Sequence, residues 1–322
     1  MLAIQARAAG GPEVLEPVEI EAPAPGAGQI RVRNEAIGLN FIDTYQRSGL
    51  YPVRFPAVLG QEAAGVVDTV GGGVSRFKTG DRVAYSGQMG AYAEYQVVAA
   101  ERAVALPEAV SFETAAASLL KGMTTEFLVR RCHPLRAGET ALIHAAAGGV
   151  GTLLTQWAKA LGARVIGTVG SEEKAALARR LGCDHVILYR REDVVARVRE
   201  ITGGAGVPVV YDSVGKDTFE ASLNSLARRG LFVSFGNSSG AVPAFEPLRL
   251  SRAGSLFLTR PTLYDYIATT AELDESAGAL FEMIGSGKLH VEIGQRFKLA
   301  DARKAHEALE SRQTIGASVL LP

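Results

Sequence analysis

Cysteine is scarce in this 322-residue chain, with only Cys132 and Cys183, and histidine occurs five times. Two cysteines build neither a disulfide framework nor a zinc knuckle, and no pair of histidines has metal-binding spacing. The scarcity of cysteine fits a reducing, cytoplasmic compartment. An excess of one charge is lacking too. Lys+Arg and Asp+Glu both total 34, so nucleic acid is not expected as the partner of the whole chain. The opening MLAIQARAAGGPEVLEP has no basic segment followed by an apolar run, so no secretory leader is expected. The uncharged stretch Thr140 to Ala158 spans 19 residues, but Gly148, Gly149 and Gly151 interrupt it, and His144 and Gln156 lie within it. A bilayer helix needs about 20 predominantly apolar residues, so this stretch reads as a buried strand, a turn and a helix start. No membrane span is expected, and no serine of a hydrolase nucleophile elbow.

What is present is an ordinary globular composition, 47% hydrophobic and 21% charged, which excludes disorder and fibrous repeats. At about 150 residues per domain, the length suggests two domains. The first 110 residues read as all-β: IRVRNEAIGLN, AAGVVDTVG, DRVAYS and AEYQVVA are short alternating runs between Gly, Pro and Asp turns. From Ser111 the spacing becomes helical in SFETAAASLLKGMTTEFLVRR, with Ser111 and Thr114 as cap residues. After Gly138, strands alternate with helices: TALIHAA, TLLTQWAKALG, ARVIGTV, EEKAALARRLG, HVILY, REDVVARVREITG, VPVVYDSVG, TFEASLNSLARRG and LFVSFG. That alternation predicts an α/β fold with a doubly wound parallel sheet. Beyond Leu258 the pattern is mixed, and the final strand ASVLLP has no partner nearby, so it is expected to return to the N-terminal β domain. The expected division is therefore 1–121 completed by 261–322, with 122–260 inserted. Residues 122–260 carry 18 Lys+Arg against 12 Asp+Glu and the remainder 16 against 22, a basic balance that suits a phosphate-bearing ligand.

The central motif is Ala146-x-Gly148-x-x-Gly151, a variant of the dinucleotide fingerprint between a strand and a helix that is expected to open at Gly151. Gly148 would let the backbone approach a pyrophosphate, and Gly151 would permit close helix–strand packing. The helix N-terminus would add amide donors and a positive dipole end. NAD sites place an acid at the end of the second strand to bond the ribose 2′-hydroxyl. Here VIGTV runs into Gly170-Ser171, with Lys174 one turn later and Tyr189-Arg190 after the third strand. A hydroxyl, an ammonium and a phenol suit a 2′-phosphate, so NADPH is the expected cofactor. His290 and His306 read as surface or interdomain residues, His133 as part of a loop, and both cysteines as packing residues. With no covalent or metal catalyst in view, the cofactor must carry the chemistry.

The runs NFIDTYQRSGLYP, GQEAAGVV, HAAAGGVG, VYDSVG, FGNSSG and AHEALESRQTIG, spread from end to end of the chain, resemble the quinone oxidoreductases. These are the zeta-crystallin-like branch of the medium-chain dehydrogenase/reductase superfamily. The resemblance implies a GroES-like β domain with an inserted Rossmann domain, NADPH in the cleft between them, a quinone or related electrophile as substrate, and a homodimer. Zinc-dependent relatives carry Cys where this chain has Asn40 and Gly-His-Glu where it has Gly60-Gln61-Glu62, which implies a zinc-free member with no metal site. Carried over residue by residue, Asn40, Phe41 and Tyr45 resemble the border of the nicotinamide and substrate cleft, with Tyr51 a further wall. Asn40, Tyr45 and Tyr51 are the catalytic candidates, none of them a certain acid or base. Thr124 resembles a cofactor contact, and Ala147, Gly148, Gly149, Val150 and Gly151 the pyrophosphate turn. Gly170, Ser171, Lys174 and Tyr189 would hold the 2′-phosphate end, with Arg312 a second contact there. Phe235, Gly236, Asn237 and Ser238, with Phe257, Leu258 and Thr259, would line the nicotinamide; core packing is the alternative for Phe235, Phe257 and Leu258. Two other readings stay open: an NADPH-dependent reductase of enones or alkenals, and a non-enzymatic NADPH-binding protein of the crystallin or RNA-binding kind.

Overall fold

The alternating, β-branched run at residues 29–39 becomes the longest strand of the chain, and the N-terminal sheet is assembled on it. The computed structural model describes residues 1–322. Strands β1 (Leu2–Ala6), β2 (Leu15–Glu19) and β3 (Gln29–Leu39) lead to helix α1 (Phe41–Ser48), then to β4 (Ala57–Val58), β5 (Glu62–Val70), β6 (Arg82–Ser86), β7 (Tyr95–Ala99) and β8 (Ala103–Ala105). β3 pairs antiparallel with β5 along its length and with β7 over its first half.

Helix α1 corrects the all-β reading of this region. Asn40 caps it in an extended conformation, its N–H donating 2.9 Å to Asp43 Oδ2, and Gly49 ends it in the left-handed region at φ 81°. These are ordinary start and stop residues. With only eight residues between them, the helix offers too little apolar periodicity to stand out.

Helix α2 (Phe112–Phe127) is capped as expected, Ser111 Oγ accepting from Thr114 N–H at 3.1 Å. It widens into one π-helical turn over Leu128–Cys132. The alternating series follows: β9 (Thr140–Ile143), α3 (Gly149–Ala160), β10 (Arg164–Val169), α4 (Glu172–Arg180), β11 (His185–Leu188), α5 (Val194–Ile201), β12 (Val207–Asp212), α6 (Phe219–Ser225), β13 (Leu226–Ser234), α7 (Leu248–Arg252), β14 (Phe257–Thr259) and α8 (Leu263–Tyr266). All six strands are parallel, in the order β11-β10-β9-β12-β13-β14. Leu142, Ile166, Ile187, Val210 and Phe232 place one residue from each central strand in a single buried cluster. β9 stops at Ile143 and α3 opens at Gly149, earlier at both ends than expected, because Ala145 turns the chain with φ 52°.

The chain then returns through α9 (Thr270–Gly285), β15 (Ile293–Lys298), α10 (Ala302–Glu310) and β16 (Ala317–Leu321). β16 pairs antiparallel with β3, Val319 facing Gly38, and parallel with β15. The resulting sheet runs β15-β16-β3-β5-β6-β8. Two compact units result: Met1–Met123, Ile267–Gly287 and Val291–Pro322 form one, and Thr124–Tyr266 with Lys288–His290 the other. α2 runs unbroken through the first boundary, so composition has no break to mark there. No helix is long and apolar enough to cross a membrane.

Leu320 lies fully buried in the core of the first unit, among residues such as Ile37, Leu59 and Tyr92 that come from the first hundred positions. Leu320→Ala is expected to cost about 2–5 kcal/mol, the usual range for emptying a buried leucine site. The urea midpoint at constant m-value measures it; a loss within about 0.5 kcal/mol, as at a surface position, would place the last strand outside this core.

Candidate functional site

In the second unit, the strand order reverses between β9 and β12, and ligands of open α/β sheets bind outside the carboxyl ends of the strands at such a point. The loops after β9, β10, β12 and β13 all emerge at that edge. After β9, His144 N–H donates to Tyr211 O at 3.0 Å, Ala146 N–H to Thr168 O at 3.1 Å and Gly148 N–H to Ala145 O at 2.8 Å. Gly148 then caps α3, whose first intrahelical bond runs from Thr152 N–H to Gly148 O. The amides of Gly149, Val150 and Gly151 are therefore first-turn donors without helical acceptors, while Ala147 lies buried behind them. The two glycines differ in what confines them. A Cβ on Gly151 would stand 2.2 Å from Ala145 O, so strand–helix packing excludes it; one on Gly148 meets nothing closer than Ala145 O at 3.2 Å. At Gly148 that contact is tight, yet its backbone is less confined than that of Gly151.

After β10, Ser171 caps α4, its Oγ accepting from Lys174 N–H at 3.3 Å and keeping its own O–H to donate. The Tyr189 hydroxyl lies over Gly170, 2.7 Å from where a Cβ there would be. Gly170, Ser171 and Tyr189 are thus brought together at the ends of β10 and β11, with Lys174 in the first turn of α4 beside Glu172 and Glu173, of which Glu172 pairs with Arg191 at 3.3 Å. After β12, Asp212 organises the next loop, accepting from Val214 N–H (2.7 Å), Gly215 N–H (3.0 Å), Thr218 Oγ1 (2.7 Å) and Ser222 Oγ (2.6 Å). That loop in turn holds the segment after β13: Phe235 N–H donates to Asp212 O and Ser238 N–H to Ser213 O. Gly236 packs so closely on Ser213 that a Cβ would sit 2.3 Å from its carbonyl. Gly236-Asn237-Ser238-Ser239-Gly240 does carry the letters of a nucleophile elbow. No helix follows until Leu248, so the strand–turn–helix that exposes such a serine is absent.

On β14, Phe257 is 61% exposed, which removes core packing as its role, whereas Leu258 packs against the sheet core. Thr124 is buried in α2, and Arg312 is exposed in the first unit, in a left-handed turn at φ 59°.

In the first unit, α1 brings Asn40, Phe41 and Tyr45 together. Tyr45 is buried and meets Tyr51 edge-on, ring centroids 5.3 Å apart. Asn40 Nδ2 donates 2.9 Å to Glu62 Oε2, and the same oxygen receives Lys121 Nζ at 3.3 Å while Oε1 accepts from Leu120 N–H at 2.6 Å. The Asn40 side chain also accepts from the Asp43 backbone N–H in the capping box, so of its polar atoms Nδ2 keeps one further N–H. Behind it lies a group of residues whose function sequence reading missed. Asp43 Oδ2 accepts from Tyr92 Oη at 2.9 Å; Tyr92 Oη lies 3.0 Å from His306 Nε2, and His306 Nδ1 3.0 Å from Arg47 Nη1. Arg47 reaches Glu310 through both terminal nitrogens, at 3.0 and 2.7 Å. His306 is therefore corrected from a surface or interdomain residue to a fully buried one. Asp43 and Arg47 share α1 and His306 and Glu310 share α10, but α1, Tyr92 and α10 lie far apart in the chain, so no local pattern signals the group.

Two family models match: the alcohol dehydrogenase GroES-like domain over residues 26–108 and the zinc-binding dehydrogenase over 149–283. A GroES-like unit followed by a dinucleotide-binding one defines a medium-chain dehydrogenase/reductase. Within that class the chain belongs to the quinone oxidoreductase family. It is 56% identical over 321 residues to a quinone oxidoreductase of Pseudomonas aeruginosa, covering 99% of each chain. It superposes with a TM-score of 0.98 on the crystal structure of Escherichia coli quinone oxidoreductase complexed with NADPH, at 52% identity and full coverage of both. A 2-haloacrylate reductase of Burkholderia sp is 45% identical over 324 residues, covering 97% of this chain and 96% of that one.

The second family carries zinc in its name, and the residues here do not fit it. Asn40 and Gln61 are carboxamides, and the Glu62 carboxylate is already held by the Lys121 ammonium, which repels a second cation. A catalytic zinc takes about three Cys, His or carboxylate ligands, and no group of three such residues stands close enough to hold a metal ion.

Burial pushes the Asp43 carboxyl up from 3.8 to about 7, against its bonds from Asn40 and Tyr92 and the Lys121 charge. Burial, with the Arg47 charge, pushes His306 down from 6.5 to about 3. The raised Asp43 contributes stability that is complete below its unfolded value and lost as pH rises through about 7, about 4 kcal/mol in all. The depressed His306 contributes stability that is complete above 6.5 and lost as pH falls toward 3. The two slopes oppose each other between about pH 4 and 6.5. Asp43→Asn removes the first, so stability should fall more steeply with acid than in the wild type across that window. Thermal midpoints measured against pH test this, and parallel curves would show that folded Asp43 holds no proton there.

Proposed function

We propose that the chain is an NADPH-dependent quinone reductase acting without a metal. The observation that carries this reading is the cradle at the carboxyl edge of the parallel sheet, whose far end carries Ser171, Lys174 and Tyr189, while Glu172 and Glu173 open α4 as residues that complement its dipole. In support, relatives 54–56% identical over nearly the whole chain are named quinone oxidoreductases. NADPH, when bound, would supply a hydride to the quinone, and one proton from water would complete the hydroquinone. The first-turn amides of α3 and the backbone at Gly148, bare of a side chain, suit a pyrophosphate, with Ala147, Gly149, Val150 and Gly151 forming the turn. Gly170, Ser171, Lys174 and Tyr189 suit the 2′-phosphate, with Arg312 a further contact. Phe235, Gly236, Asn237, Ser238, Leu258 and Thr259 suit the nicotinamide end, and Thr124 a cofactor contact.

On the first unit, Asn40 stands at the start of α1, and Phe41, Tyr45 and Tyr51 offer aromatic faces on which a flat quinone can stack. Their part is alignment, which can supply about 7–11 kcal/mol of a barrier. A second reading, reduction of an electron-poor alkene, is favoured by the likeness to a 2-haloacrylate reductase. Turnover of a soluble quinone beside 2-chloroacrylate decides between them: a larger kcat/KM for the acrylate would replace the quinone reading.

We also infer a homodimer in a reducing, cytoplasmic compartment. β14 is an edge strand carrying an exposed Phe257, with exposed Leu248 on the neighbouring α7. An open edge of this kind favours pairing with another chain. Light scattering at twice the 34.0 kDa of the chain is the expected result, and a monomer would refute it.

Lys174→Ala is expected to weaken NADPH by roughly 10- to 150-fold, the worth of one charge-assisted bond. The effect should fall on KM, since the phosphate is remote from the hydride. NADH, lacking the phosphate, should be little changed. kcat/KM for both coenzymes measures it; equal losses would assign Lys174 to the fold or the pyrophosphate.

A further inference from the structure

We propose that the buried chain Arg47–His306–Tyr92–Asp43 is a positioning device for hydride transfer. It holds the first turn of α1, which carries Asn40, Phe41 and Tyr45, in a single hydrogen-bonding polarity. His306 and Tyr92 are both fully buried, so they are positioning residues that act through Asp43 and Asn40 and never meet a ligand. The proposal rests on the quinone reductase reading of the Asn40 region.

The polarity is set at one end. A guanidinium only donates, so His306 Nδ1, 3.0 Å from Arg47 Nη1, must accept. His306 is then neutral with its proton on Nε2, which suits a buried imidazole beside a cation. Nε2–H donates to Tyr92 Oη at 3.0 Å, and the Tyr92 hydroxyl is thereby turned to Asp43 Oδ2 at 2.9 Å. Asn40 N–H reaches the same oxygen at 2.9 Å. Every donor in the chain points toward Asp43.

The reverse arrangement is blocked. A proton on Asp43 Oδ2 given to Tyr92 would turn the phenol onto His306 Nε2 and leave Nδ1–H facing an arginine N–H at 3.0 Å. Arg47 cannot turn away, because Glu310 holds it at two points and its Nε donates to Gly10 O at 3.1 Å. The chain is therefore no proton conduit. A proton taken up by Asp43 must sit on Oδ1, which is buried and has no hydrogen-bond partner. Asp43 is faced by Asn40 and Arg47 from its own helix, by Tyr92 from the segment before β7, by Glu62 from β5 and by Lys121 from α2; His306 and Glu310 of α10 stand behind Tyr92. Lys121 and Glu62 are paired to each other, whereas Asp43 receives only the neutral donors Asn40 N–H and Tyr92 Oη. Ionised, it grips both the Tyr92 hydroxyl and the Asn40 amide; protonated, it grips both less firmly.

The test is the pH dependence of kcat/KM with NADPH and a soluble quinone. In the wild type the value should rise through about pH 7 as Asp43 ionises. Tyr92→Phe removes one donor to the carboxylate while keeping the ring, and should move that limb upward by about one to two pH units. His306→Gln is the conservative control. Its carbonyl accepts from Arg47 and its amide donates to Tyr92, so the polarity survives and the limb should stay in place. A limb unmoved in Tyr92→Phe, or moved equally in both variants, overturns the proposal. The same displacement is readable without turnover from the Asp43 carboxyl ¹³C resonance, identified by its loss in Asp43→Asn. Should the wild type reduce no quinone, the functional reading fails, and the titration of that resonance still decides this one.

Discussion

Glu62 has no access to water, and the start of α1 and the middle of α2 are arranged around that fact. A buried carboxylate is tolerable only where the protein supplies its donors. They come from two directions: Asn40 at the junction of β3 and α1, and the Leu120 amide and Lys121 ammonium from α2. Breaking such a pair by removing one partner costs about 3–5 kcal/mol, because the other charge is left unpaired. Glu62 and Lys121 therefore tolerate replacement only together. The same contact occupies one hydrogen of the Asn40 amide, and an internal cation organises the place.

Two buried carboxyls a short distance apart in this unit are handled in opposite ways. Glu62 has a cation against it, whereas both donors to Asp43 are neutral, a backbone amide and a phenol. Burial raises Asp43 into the neutral range, so one position near the candidate site is charged or uncharged according to conditions. Perturbed groups of this kind cluster where function is.

Most of the parallel sheet was legible in the sequence from short apolar runs alternating with periodic helices, but Leu226–Gly230, expected as the end of a helix, opens β13, and the five-residue crossover α7 gave no periodic signal. The Gly148–Gly151 turn and the Gly170-Ser171 step after β10 were legible for the same reason: both are local. Helix α1 was not, since eight residues with few apolar positions leave periodicity little to work on. The place of His306 was not legible either. Its neighbours Arg47 and Tyr92 lie more than two hundred residues away, and on α10 alone a histidine among charged residues looks like a solvated face. Phe257 was ambiguous between core and ligand, and neither pattern nor spacing reveals that its strand is an edge. The site residues legible beforehand are those that backbone geometry demands; those found only in three dimensions hold others in place.

The pairing of β16 with β3 has a consequence for how the protein is made. Ile37, Gly38 and Leu39 leave the ribosome about 280 residues ahead of their partners Leu320, Val319 and Ser318. Contacts so distant in sequence form late. The parallel sheet is encoded in one continuous stretch and can condense while synthesis continues, but the sheet built on β3 must wait with one flank bare. During that interval the nascent chain presents an unpaired strand edge, the kind of surface that captures neighbouring chains. Time spent on the ribosome, rather than the depth of the finished core, is what exposes this molecule to aggregation.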